Sequence, residues 1–278
     1  MQGILNCGEQ RAVTRIFNKV YITMDSQTKN SAKKMKRTVL IVCVGNTFEE
    51  IQQHEGDFTD WISHGLGQQV EIVTIDARQT EMPLPAACHF DGVVITGSHA
   101  MVTDRMPWID HLAAWIRDCI ATEIPLLGIC FGHQLIAYAM GGHVGYNPRG
   151  LEIGTKDVRI TDAAMEDVLF KDLPKAFSVQ LVHAQSALTL PKEATLLAGN
   201  THEPHQAFRI GRNAWGVQFH PEFSAATMRS YIEIMAAKKA LPAIKVDQLL
   251  HQVKNTFDAR MLLTKFAEIV MNGAYLYR

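Results

Sequence analysis

The sequence predicts an α/β fold: an open, mostly parallel sheet flanked by helices, closed by a helical extension at the C-terminus. Three observations carry this expectation. Short continuous apolar runs, of the kind found in strands buried on both faces, alternate with stretches of helical spacing from residue 38 to residue 140. Strands joined through helices in this way lie parallel, with right-handed crossovers. After residue 145 the pattern changes to short strand-like segments separated by Pro, Asn or Gly, some of them antiparallel, before helical spacing returns.

The elements follow in order. Val39–Val44 reads as a buried strand, and residues 57–66 as a helix with Asp57 near its start and Phe58, Trp61 and Ile62 on one side. Val70–Ile75 is a second strand, and Pro83 and Pro85 mark a loop. Phe90 to Ile95 forms a third strand that ends in the tight Thr96-Gly97-Ser98 turn. Trp108, Leu112, Trp115, Ile116 and Cys119 share a helical face. Ile124–Ile129 is a fourth strand, and Phe131–Met140 a helix closed by Gly141-Gly142. Segments near 155–160, 178–182, 194–198, 206–210 and 214–219 are short strands, and 225–237 is helical. Pro242 breaks the chain, and the apolar spacing over 246–271 gives one or two amphipathic helices.

Composition narrows the class. With 278 residues, 47% hydrophobic and 20% charged, the chain is neither disordered nor collagen-like nor a disulfide scaffold. The run Val39–Val44 is far too short to span a bilayer, and a net charge of −1 gives no sign of nucleic acid or a membrane as partner. That charge is the sum of two unlike parts. Residues 1–37 carry eight Lys/Arg and two acids, and the remainder carries a net −7. The basic leader, residues 1–36, lacks the apolar core of a secretory signal and the amphipathic order of an organellar presequence, so it is expected to be disordered. Residues 37–240 then form the α/β domain and 241–278 the helical extension. The five cysteines show no CxxC spacing; Cys43 and Cys119 fall in apolar runs and read as buried thiols of a reducing, cytoplasmic compartment.

Cys130 stands apart. Gly128-Ile129-Cys130-Phe131-Gly132 has the form Gly-x-nucleophile-x-Gly between a predicted strand and a predicted helix. A turn that sharp pushes the side chain out of the sheet. The helix N-terminus favours thiolate, and the Phe131 N–H can point at a developing oxyanion. A thiol nucleophile needs a base. His54, His64, His89, His111, His143 and His251 fall in loops or on solvated faces. His202 and His205 flank Glu203 as HxxH without a third ligand, which reads as a turn rather than a metal site. His133 lies one helical turn past Cys130 and packs or caps, while His99 and His183 follow predicted strands and would line a cleft. His220 ends the strand Trp215–Phe219 and is followed by Pro221-Glu222. In extended geometry His220 and Glu222 point to one side. A carboxylate orienting an imidazole that faces a thiol is a Cys-His-Glu version of the catalytic triad.

These motifs resemble those of the class I, triad-type glutamine amidotransferases. Gly128 to Gln134 (GICFGHQ) is similar to that family's nucleophile motif, Trp215 to Phe223 (WGVQFHPEF) to its His-x-Glu motif, and Ile95 to Ser98 to its oxyanion strand. The resemblance covers about residues 38–235 and is nearest to stand-alone domains similar to the amidotransferase part of GMP synthase. It implies a flavodoxin-like fold and a glutaminase reaction. Cys130 would attack the side-chain amide of glutamine, Gly97 and Phe131 would hold the oxyanion, and His220, oriented by Glu222, would serve as acid and base. Gln134 would lie near the substrate, with Ser98 and His183 as further binding positions. Two departures stand out: Val182-His183-Ala184-Gln185 replaces the Ser-His-x-Asp of many members, and Ser98 replaces a Gly.

No GxxxxGK[ST] phosphate loop is present and no cofactor or metal is expected. The substrate is therefore a small molecule, and an acceptor for ammonia would belong to a separate synthase subunit. Two alternatives stay open: a γ-glutamyl peptidase acting on glutathione-like compounds through the same thioester, and a non-catalytic regulatory module that retains the fold.

Overall fold

In the computed structural model, residues 36–79 and 83–273 are described. The expectation for the leader therefore falls outside the described residues, apart from Lys36, whose ammonium donates to the Gln68 carbonyl. Strands β1 (Arg37–Cys43), β2 (Val70–Asp76), β3 (Gly92–Ile95), β4 (Leu126–Ile129) and β11 (Ala214–Val217) pair in parallel, in the order β2-β1-β3-β4-β11. The sheet continues through β10 (Ala207–Ile210), β9 (Ala194–Gly199), β6 (Glu152–Ile160) and β7 (Ala176–His183), all antiparallel to their neighbours.

Alternation along β1 builds both sides of the molecule. Val39 and Ile41 join one apolar layer, Leu40 and Val42 the other, and all four are fully buried. On the first side lie α2 (Phe58–Leu66), α5 (Ala225–Ala237) and α7 (Phe257–Asn272); on the second lie α3 (Pro107–Ala121) and α4 (Phe131–Ala139). Helices on both faces of a parallel sheet is the arrangement the sequence predicts. Asp57 starts α2 as expected, through a reciprocal capping box: its carboxylate accepts from Phe58 N at 2.8 Å while Asp60 accepts from Asp57 N at 2.9 Å.

The C-terminal stretch resolves into two helices, α6 (Ala243–Gln252) and α7. Far from being an appendage, α7 completes the core: Leu262, Leu263, Phe266 and Val270 are each no more than 1% exposed. It seats on glycines. A Cβ at Gly92 would lie 2.5 Å from Val270 Cγ2. Gly92→Val is accordingly expected to lift α7 and cost about 1–3 kcal/mol, read as a lower urea midpoint; an unchanged midpoint would show that α7 contributes little to folding.

Three elements were not foreseen. Helix α1 (Glu49–Glu55) buries Ile51 alone. β5 (His143–Tyr146) and β8 (Gln185–Thr189) form a separate antiparallel pair. Among the described residues no helix is long and apolar enough to cross a membrane.

Candidate active site

The predicted site residues follow the C-terminal ends of adjacent parallel strands, where ligands bind in open α/β sheets. Gly97 follows β3, Cys130 follows β4 and His220 follows β11. Cys130 has φ 51° and ψ −98°, a strained backbone for a residue with a side chain, at the junction of β4 and α4. Two glycines make the turn feasible. A Cβ at Gly128 would meet the Gly132 carbonyl at 2.5 Å, and one at Gly132 would meet Ile95 O at 2.7 Å. The Cys130 N–H donates to Val217 O at 2.9 Å, which ties the turn to β11. Its thiol lies 3.9 Å from the Val182 carbonyl. The Phe131 N–H opens α4 and has no acceptor within the helix.

His220 is buried, with Nδ1 2.7 Å from Glu222 Oε1. Its ring stacks on Phe223 at 4.1 Å, and a Cβ on Gly97 would come within 3.0 Å of its Cε1. The other nitrogen, Nε2, is buried without a hydrogen-bond partner among the described residues. Burial alone would push the imidazole down. The Glu222 carboxylate and the nearby Cys130 sulfur outweigh it and raise His220 to about 10. The charged form of the imidazole is thereby favoured at neutral pH, and it lies where it can act on the thiol.

A cavity of about 160 Å³ opens above Cys130. Phe131, Ser98, Gln134 and His183 line it with Cys130, and so does His99. Gly97, His220 and Glu222 are not part of its wall. Gln134 is held rather than free: its Nε2 donates to Gln185 O at 2.7 Å and to Gln218 Oε1 at 3.0 Å. Ser98 Oγ accepts from Ala100 N at 3.0 Å and turns the loop after β3. His99 sits against Phe48 at 4.4 Å and reaches Tyr231 Oη at 3.4 Å; burial, then the charge of His220, lowers it. His133 packs on Phe208, as expected, and burial drives it down to about 3, a neutral ring.

Sequence reasoning missed one partner. His183 Nε2 meets Glu152 Oε2 at 2.9 Å, and Nδ1 meets Gln185 O at 2.9 Å. Glu152 also accepts from Asn200 at 2.8 Å and Gln206 at 2.9 Å. Burial pushes its carboxyl up, but the His183 and Asn200 contacts outweigh that and hold it low. A lone acid in the apolar run Leu151-Glu152-Ile153 was the available signal. Gln185, at the position of the acid in the Ser-His-x-Asp pattern, donates to Thr103 Oγ1 at 2.5 Å. His202 and His205 bond backbone carbonyls of Gly150 and Ala187.

Comparison with known proteins bears on the family and the fold. γ-Glutamyl peptidase 5 of Arabidopsis thaliana is 30% identical over 168 residues, which span 60% of this chain and 67% of the peptidase. A glutamine-hydrolyzing GMP synthase subunit of Halobacterium salinarum is 30% identical over 173 residues, 62% of this chain and 87% of its own length. A longer GMP synthase, from Aeropyrum pernix, is 31% identical over 68% of this chain but only 36% of its own length. The crystal structure of a glutamine amidotransferase from Thermotoga maritima shares the fold, with a TM-score of 0.69 at 23% identity over 86% of this chain and 100% of that one. The model of the family "Glutamine amidotransferase class-I" matches residues 55–238, and the chain belongs to that family.

Proposed function

We propose that the protein cleaves the side-chain amide of glutamine, or of a related γ-glutamyl amide, through a thioester on Cys130. The Cys130 thiolate attacks the amide carbon. The N–H groups of Gly97 and Phe131 hold the oxygen as it becomes an oxyanion. The imidazolium of His220, oriented by Glu222, gives its proton to the departing ammonia. The neutral imidazole then takes a proton from water as that water attacks the thioester, and the Cys130 sulfur leaves with glutamate released. The observation that carries this reading is Cys130 in its strained turn beside a His220 bonded to Glu222 at 2.7 Å.

The relatives support two fates for the leaving amine. The Halobacterium relative is, by its name, one part of a GMP synthase assembly, so a separate synthase subunit would accept the ammonia here. The Arabidopsis γ-glutamyl peptidase supports the second reading, in which an amine of a glutathione-like compound leaves instead of ammonia. The same thioester serves both, and no cofactor or metal enters either. The buried thiols Cys43 and Cys119 fit a reducing compartment, hence the cytoplasm. Residues 37–240 would then be the catalytic domain and 241–278 its helical extension.

A glutamine-analogue diazoketone is expected to modify one site, Cys130, located by peptide mass spectrometry. Modification confined to Cys43, Cys88 or Cys119 would overturn the assignment. The non-catalytic reading predicts no modification of Cys130 above the level of those buried thiols.

A further inference from the structure

A second and larger cavity lies beside the first, a cleft of about 760 Å³ between the start of β6, the loop around Asn200 and helix α6. Its size is that of a pocket for a drug-sized ligand, whereas the 160 Å³ above Cys130 suits a group no larger than glutamine. The two cavities share a wall. Leu151 lines both, and behind it Glu152 faces the cleft while its hydrogen-bonded partner His183 faces Cys130.

The charges in the cleft are unbalanced. Glu152 commits both oxygens, to His183, Asn200 and Gln206. Asp157 accepts from Ser178 at 2.5 Å and lies 3.9 Å from Lys254. The cations have no carboxylate partners among the described residues. Lys156 and Lys245 form no ion pair among the described residues, and the Arg149 guanidinium donates to the His202 carbonyl at 3.3 Å. An anion entering the cleft meets positive charge that the protein has not already used.

We propose that this cleft binds the carboxylate-bearing end of a γ-glutamyl peptide whose γ-glutamyl group occupies the Cys130 cavity, with Lys156, Lys245 and Arg149 as its carboxylate partners. The inference rests on the γ-glutamyl reading above and deepens it. It sets the substrate as a peptide with a free C-terminus, longer than glutamine, that crosses the wall at Leu151. The shared wall favours one continuous ligand over a free inorganic anion.

The test is equilibrium binding to the full chain carrying Cys130→Ala, which holds the ligand without turnover. The probes are γ-glutamyl-alanyl-glycine and the same peptide with its C-terminus amidated. The free acid is expected to bind about five- to tenfold more tightly, the scale of one or two partly exposed ion pairs. Lys156→Gln with Lys245→Gln is expected to erase that preference while leaving the affinity for the amide as it was. Equal affinities for acid and amide, a preference that survives the double substitution, or no measurable binding of either peptide would each overturn the cleft assignment. Hydrolysis of glutamine and of γ-glutamyl-alanyl-glycine by the unsubstituted protein is scored separately, as glutamate released. Absence of turnover on both, alongside an intact carboxylate preference, would sink the proposed reaction and leave the cleft standing.

Discussion

Cys130→Ala is expected to lower glutamine hydrolysis by at least about 10⁴-fold, with the loss in kcat. A triad works as a unit, and removing its nucleophile costs nearly as much as removing all three members. The remaining rate would come from the oxyanion donors and from substrate binding alone. The change leaves the packing almost untouched, because it removes a single sulfur atom whose hydrogen bond to Val182 O is long, 3.9 Å, and alanine tolerates the φ of 51° no worse. Circular dichroism and thermal unfolding should therefore match the unsubstituted protein while ammonia release disappears. Retained turnover in a folded Cys130→Ala protein would place the chemistry elsewhere.

Glu222→Gln is expected to cost about 10²–10⁴-fold in kcat/KM and to move its alkaline limb. The equivalent carboxylate-to-amide change in a Ser-His-Asp triad costs about 10⁴ in kcat. His220 is held at about 10 against its own burial, and the Glu222 carboxylate is the largest of the raising influences. Without that charge the imidazolium gives up its proton at lower pH, so the limb where activity falls should shift downward. The same sign governs stability. A raised imidazole stabilises the folded state fully below its ordinary value of 6.5, and that contribution is lost as pH rises through about 10. A pH profile of kcat/KM from 6 to 10.5 measures the first effect, and urea midpoints over the same range measure the second. A limb that stays in place in Glu222→Gln would assign it to another group.

The parallel part of the fold was legible because β1, β3 and β4 are built on short apolar runs and α2 and α3 carry a one-sided apolar face. Helix α1 was not, since its heptapeptide EEIQQHE offers only Ile51 to the core. The β5–β8 pair escaped for a related reason: His143–Tyr146 buries Val144 alone, so no alternation marks it. At the site, Cys130, His220 and Glu222 could be read from local spacing, because turn geometry and strand direction place them. The Glu152–His183 contact could not. It joins residues 31 positions apart, and only the antiparallel register of β6 on β7 sets Glu152 opposite His183. The cavity sizes and the charge balance of the larger cleft likewise depend on tertiary placement of α6, which no local pattern encodes.

Neighbouring strands β4 and β11 lead into the two side chains proposed to react, with Gly128 level with Gly216 and Ile129 with Val217. Cys130 and His220 are 90 positions apart in the chain, yet the reach between sulfur and imidazole is fixed by a few backbone hydrogen bonds. The chain between them also braces the second of these side chains: the His220 N–H donates to Gln180 O in β7 at 2.9 Å, and the Gln218 N–H to Gln206 O just before β10 at 2.8 Å. The excursion that builds β5 to β10 is therefore part of the frame that sets the reach, and only its loops are free of that duty.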